Sequence, residues 1–161
     1  MFKKSAALIL ALILGSSTLG YAGATFAATG HDHGHAETAQ KLQLDAGKRW
    51  ATDAPLRKAM GTINENMRQA LPAIHANTLA EAQYVQLAED VRAQVDYMFK
   101  NCQLSAEADA QLHQIIVQLL AAADNMAGAP AGRRDGAISV LAALKSYVRY
   151  FADDDFTPIA H

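Results

Sequence analysis

Apolar side chains recur at helical spacing in four successive stretches of the chain. In the first, Leu56, Met60, Ile63, Met67, Leu71 and Ile74 are three or four residues apart throughout, which is one face of an amphipathic helix. The stretch opens at Thr52-Asp53-Ala54-Pro55, a capping residue followed by proline in the first turn. Pro72 has no N–H to donate and its ring clashes with the preceding turn, so the helix is expected to kink or end close to Leu71.

The second stripe is Tyr84, Leu87, Val91, Val95, Met98 and Cys102, after Thr78-Leu79-Ala80-Glu81, which fits the Thr-x-x-Glu capping box. Ser105 launches the third, with Ala108, Leu112, Ile115, Leu119, Ala122 and Met126, and Gly128-Ala129-Pro130 stops it. The fourth, over about residues 132–152, carries Ala137, Leu141, Leu144, Val148 and Phe151. Gly136 near its start weakens that helix by up to about 1 kcal/mol against alanine. No segment alternates with period two. Four stripes joined by short loops predict an all-α, up-down-up-down antiparallel four-helix bundle over residues 52–161.

The pattern ahead of the bundle is different. Met1-Phe2-Lys3-Lys4 is a cationic head, residues 6–14 are an apolar run, and small residues follow through Ala22-Gly23-Ala24. That order is a secretory signal peptide, assigned to residues 1–27, with cleavage after Ala24 or Ala27. The apolar run is shorter than the roughly 20 residues a membrane-spanning helix needs, so the processed chain is expected not to span a membrane. The short Lys-Lys head suits bacterial export and a periplasmic destination. Residues 28–51 read as a flexible His-containing leader and strap. Removing Lys3 and Lys4 from the 14 basic residues leaves 12 against 16 acidic ones, which gives no electrostatic footprint for nucleic acid.

Candidate chemistry is concentrated in Gly30-His31-Asp32-His33-Gly34-His35. Imidazoles at His31, His33 and His35 can converge on one Cu(II), Ni(II) or Zn(II) ion when the backbone is free to wrap, and a His-rich tract is a metal-binding composition. Cleavage after Ala28 would add a square-planar set from the free amine of Thr29, two amides and His31. Cys102 is the only cysteine, so no disulfide forms within one chain. Its plain role is burial, for free cysteine is among the most buried residue types.

In the predicted topology, Met60, Met98, His113 and Tyr147 fall within about 10 Å of the same end of the bundle, with Cys102 nearby. These are soft or borderline ligand types, a weaker second metal site against the ordinary reading of methionine as core filler. Asp109 and His113 at i, i+4 form a helix-surface pair. Asp153-Asp154-Asp155 reads as a helix stop and a solvated acidic patch. Trp50 is expected to cover the open end of the bundle with Leu44 and Phe156. The motifs of zinc proteases, serine-hydrolase elbows, phosphate loops and di-metal bundles do not occur, so no catalytic residue is assigned.

The segment from Arg57 through Ala59-Met60-Gly61 to Met67 resembles the opening helix of soluble four-helix-bundle b-type cytochromes. The resemblance implies the same fold, with Met60 at the position of an axial haem ligand. The histidine partner would come from the last helix, where Tyr147 or Val148 stands instead, so a haem-free relative is expected. The segments Gly47-Lys48-Arg49-Trp50-Ala51-Thr52-Asp53-Ala54-Pro55 and Asn101-Cys102-Gln103-Leu104 resemble an uncharacterised family of small exported bacterial proteins. That likeness implies a periplasmic bundle without an established activity. The function expected from all this is non-enzymatic binding of Cu, Zn or Ni through the His tract. The alternatives are a haem-binding bundle using Met60, and an adaptor module that binds another periplasmic protein.

Overall fold

The computed structural model describes residues 41–159. The leading segment and the tract from His31 to His35 lie outside the described residues. Four helices, α1 (Ala54–His75), α2 (Glu81–Asn101), α3 (Ala106–Ala127) and α4 (Pro130–Tyr150), run alternately up and down and pack as a four-helix bundle. Among the described residues no helix is long and apolar enough to cross a membrane. The core is the set of sequence stripes. Leu56, Met60, Ile63 and Met67 of α1 meet Val91, Val95 and Met98 of α2, and Leu112, Ile115 and Leu119 of α3 meet Val140, Leu141 and Leu144 of α4. Leu71, Cys102 and Val148, in the last turns of their stripes, are half-buried, while Ile74 and Phe151 beyond two of them are buried.

The helix boundaries follow local hydrogen bonding, and three of them depart from expectation. Asp53 caps α1, its Oδ1 accepting from the Leu56 N–H at 2.8 Å. α1 then continues through Pro72 to His75. The proline sits on the exposed side, where its ring meets water, while Ile74 beyond it is fully buried and holds the last turn to the core. The turn closes when Asn77, in the left-handed region at φ 54, turns the chain so that the Thr78 N–H donates to Ala73 O at 2.9 Å and the Asn77 N–H to Ile74 O at 3.2 Å. Thr78 therefore finishes α1 and does not cap α2. α2 starts at Glu81, with Gln83 Oε1 accepting from the Ala80 N–H at 3.0 Å; Ala80 has no side-chain oxygen to reciprocate. Ser105 caps α3 as expected, accepting from the Ala108 N–H at 3.2 Å. Pro130, read as a stop, is instead the first residue of α4, where a missing N–H costs nothing.

Gly136, with no side chain, lets α4 lie close against the backbone of α3. A Cβ there would lie 2.7 Å from Ala122 O and 2.8 Å from the Met126 N. At the same end of the bundle, α4 reaches out to its neighbours with two arginines. Arg133 donates through Nε to Gly128 O at 3.1 Å and through a terminal nitrogen to Glu81 at 2.7 Å. Arg134 Nε donates to Ile74 O at 3.3 Å, so the carbonyl ends of α1 and α3 are both capped by α4.

The opposite end holds a feature that period-two reading did not reveal. Two strands of two residues each, β1 (Trp50–Ala51) and β2 (Phe151–Ala152), pair in parallel with Trp50 opposite Phe151. Thr52 Oγ1 donates to Ala152 O at 2.8 Å and Arg49 to Asp154 at 2.7 Å, closing the clasp. Trp50 packs half-buried against the core and donates through Nε1 to Gln43 O at 2.7 Å, while Leu44 stays exposed. After β2 the tail runs back along α1, where Asn64 Nδ2 and Arg68 donate to Thr157 O at 2.9 and 3.0 Å. The acidic triplet is not uniformly solvated. Asp153 is buried and accepts from the Tyr147 hydroxyl, whereas Asp154 and Asp155 are exposed.

Candidate metal centre

The end of α2 and the start of α3 are neighbours by topology, and this brings three of the candidate ligands together. Met98 lies in the last turn of α2 and Cys102 is its C-terminal cap, the Cys102 N–H donating to Met98 O at 2.9 Å. His113 stands on the facing turns of α3, four residues after Asp109. All three side chains line one small cavity of about 170 Å³, together with Phe99 and Asp109. Met60 does not line it. Met60 is wholly buried in the core, and Tyr147 sits in a separate aromatic cluster, stacked on Phe151 at 5.6 Å and edge-on to Phe156 at 5.2 Å. The expected layer of four thus divides: Met98 and His113 share a cavity with Cys102, and Met60 and Tyr147 are core.

His113 is half-exposed and oriented. Its Nδ1 lies 2.9 Å from Asp109 O and 3.3 Å from Asp109 Oδ2. A carbonyl oxygen can only accept, so Nδ1 carries the proton in that contact and Nε2 keeps the lone pair that could bind a metal. Phe99 flanks the imidazole, with ring centres 5.7 Å apart.

Cys102 is poorly set up as a ligand. Burial, and then the carboxylates of Asp53 and Asp109, push its thiol up from 9.0 to about 12. The thiolate is the metal-binding form, so a metal would have to displace a firmly held proton. Asp53 is the residue that sequence reasoning missed. It reads as a helix cap, yet its second oxygen also accepts from the Gln103 N–H at 2.6 Å and so places a carboxylate beside Cys102. Among the described residues no group of three His, Cys, Asp or Glu side chains could hold a metal ion. What the cavity offers is a thioether, a protonated thiol, one imidazole nitrogen and the carboxylate of Asp109.

In this packing neither Met60 nor Tyr147 is free to meet a haem. Met60 is sealed among core side chains, and the Tyr147 hydroxyl, where a histidine would be needed, is bonded to the buried Asp153. No protein-family model, no curated protein and no solved structure matches the chain. The family resemblances therefore rest on the quoted residues alone.

Proposed function

We propose that the protein is a periplasmic, non-enzymatic helical bundle that binds a transition metal ion, Cu, Zn or Ni, through His31, His33 and His35. The observation that carries this reading is the alternation of three imidazoles around Asp32 within Gly30-His31-Asp32-His33-Gly34-His35. The cavity of Met98, Cys102 and His113 is the weaker second site, and its protonated thiol favours the leader as the main one. Calorimetric titration of the full chain with Cu(II) and Zn(II) tests the proposal. Replacing all three leader histidines by alanine is expected to abolish the tighter binding phase. Unchanged binding in that variant overturns the assignment.

A second reading, an adaptor for another protein, is supported by Phe99, which adjoins His113, and by Val117, four residues further along α3; they are 57% and 64% exposed. A complex captured equally well with and without chelator, and lost in Phe99→Ser with Val117→Ser, would favour it over metal binding.

A further inference from the structure

A second and wider concavity lies elsewhere, along the outer side of α4. It is a half-open groove of about 980 Å³, at the upper end of the size range of small-molecule sites. Its floor is Leu141, Leu144 and Val148, and its walls include Leu42 from the strap and Ile159 from the tail. From Leu141 to Tyr150 the α4 edge is roughly 14 Å long, so a medium-length acyl chain fits along it.

Three cations, Lys41, Lys145 and Arg149, line the same groove, and among the described residues no carboxylate does. Among the described residues none of the three forms an ion pair, although four of the other arginines do. In a chain with more acidic than basic residues, three cations around an apolar floor are a local reversal of sign. A second copy of the chain docked about a two-fold axis would bring these like charges together. An apolar chain ending in an anion satisfies both features, since a carboxylate accepts charge-assisted hydrogen bonds from cations at the rim while the chain covers the floor.

We propose that this groove binds a free fatty acid, its acyl chain along Leu141, Leu144 and Val148 and its carboxylate among Lys41, Lys145 and Arg149. The site shares no residue with the proposed metal ligands, so the two readings stand or fall separately. Calorimetric titration of the full chain with lauric acid, below its aggregation concentration, tests it. One saturable site is expected, with dodecanol binding at least tenfold more weakly because it has no charge. Lys145→Glu with Arg149→Glu, both exposed, should weaken laurate at least tenfold without changing the thermal melt. Ala142→Trp, an exposed lining position, should do the same by filling the groove. The proposal is overturned by absence of saturable laurate binding, by dodecanol binding as tightly as laurate, by lysophosphatidylglycerol binding more tightly than laurate, or by either variant binding laurate as the native chain does.

Discussion

The hydroxyl of Tyr147 donates to Oδ2 of Asp153 at 2.8 Å, and both residues are buried. The pair joins the last turn of α4 to the segment just beyond β2, so it fixes where the chain leaves the bundle. Tyr147→Phe keeps the ring and its stacking on Phe151 but leaves a buried carboxylate oxygen without its donor. The expected loss is about 1–3 kcal/mol of unfolding free energy, read from urea melts at neutral pH.

The same tyrosine gives the fold an alkaline limit. Burial and the Asp153 hydrogen bond push the Tyr147 phenol well above its ordinary value of 10.0, and the Cys102 thiol is raised from 9.0 to about 12. Both groups are held neutral in the fold and ionise more readily in the unfolded chain. Their contribution is therefore complete below about pH 9 and is lost as pH rises toward 12 and beyond. Stability measured from pH 8 to 11 should fall, and Tyr147→Phe should show a shallower fall than the native chain.

Gly136→Ala sets two effects against each other. Alanine improves helix propensity by up to about 1 kcal/mol. Its methyl, however, would press on backbone atoms of Ala122 and Met126 that cannot move without separating α3 from α4. Overpacking of this kind costs about 1–3 kcal/mol, so net destabilisation is expected in a thermal melt.

Cys102 should react slowly with iodoacetamide at neutral pH despite being only half-buried. A shift from 9.0 to about 12 lowers the thiolate fraction at pH 8 about a thousandfold. Asp53→Asn retains a good helix cap while removing one of the two neighbouring carboxylates. Alkylation in that variant should be faster than in the native chain but still slower than in a free thiol, because burial is the larger cause.

Arg133 and Glu81 separate a buried role from an exposed one. The guanidinium is 11% exposed and caps Gly128 O, whereas Glu81 is 68% exposed. Arg133→Lys replaces two separate donor nitrogens in a fixed fork by a single one and should cost about 1–2 kcal/mol. Glu81→Gln should change stability less, since it removes only a solvent-screened partner. Paired urea melts of the two variants check the order.

The buried face of each helix was legible because burial repeats with the helical period, and the stripe from Leu56 to Ile74 is the clearest case. What local pattern could not settle was competition between neighbouring rules. Thr78 fits a capping box, yet the left-handed Asn77 before it directs its N–H back to α1. Pro72 should end a helix, but burial of Ile74 beyond it outweighs the missing hydrogen bond. Asp153 looks like one member of an acidic run until Tyr147, six residues back, is seen to face it. The meeting of Met98, Cys102 and His113 followed from topology, since the end of α2 must adjoin the start of α3. The carboxylate of Asp53 beside Cys102 depends on loop geometry and left no trace in spacing.

The clasp of β1 with β2 has a kinetic consequence. Its bonds join residues about a hundred positions apart, such as Thr52 to Ala152. A polypeptide synthesised from its amino end can form the hairpins of α1 with α2 and α2 with α3 early, from nearby partners. The clasp cannot close until Phe151 and Ala152 have been made, and a product ending before Phe151 would never complete it.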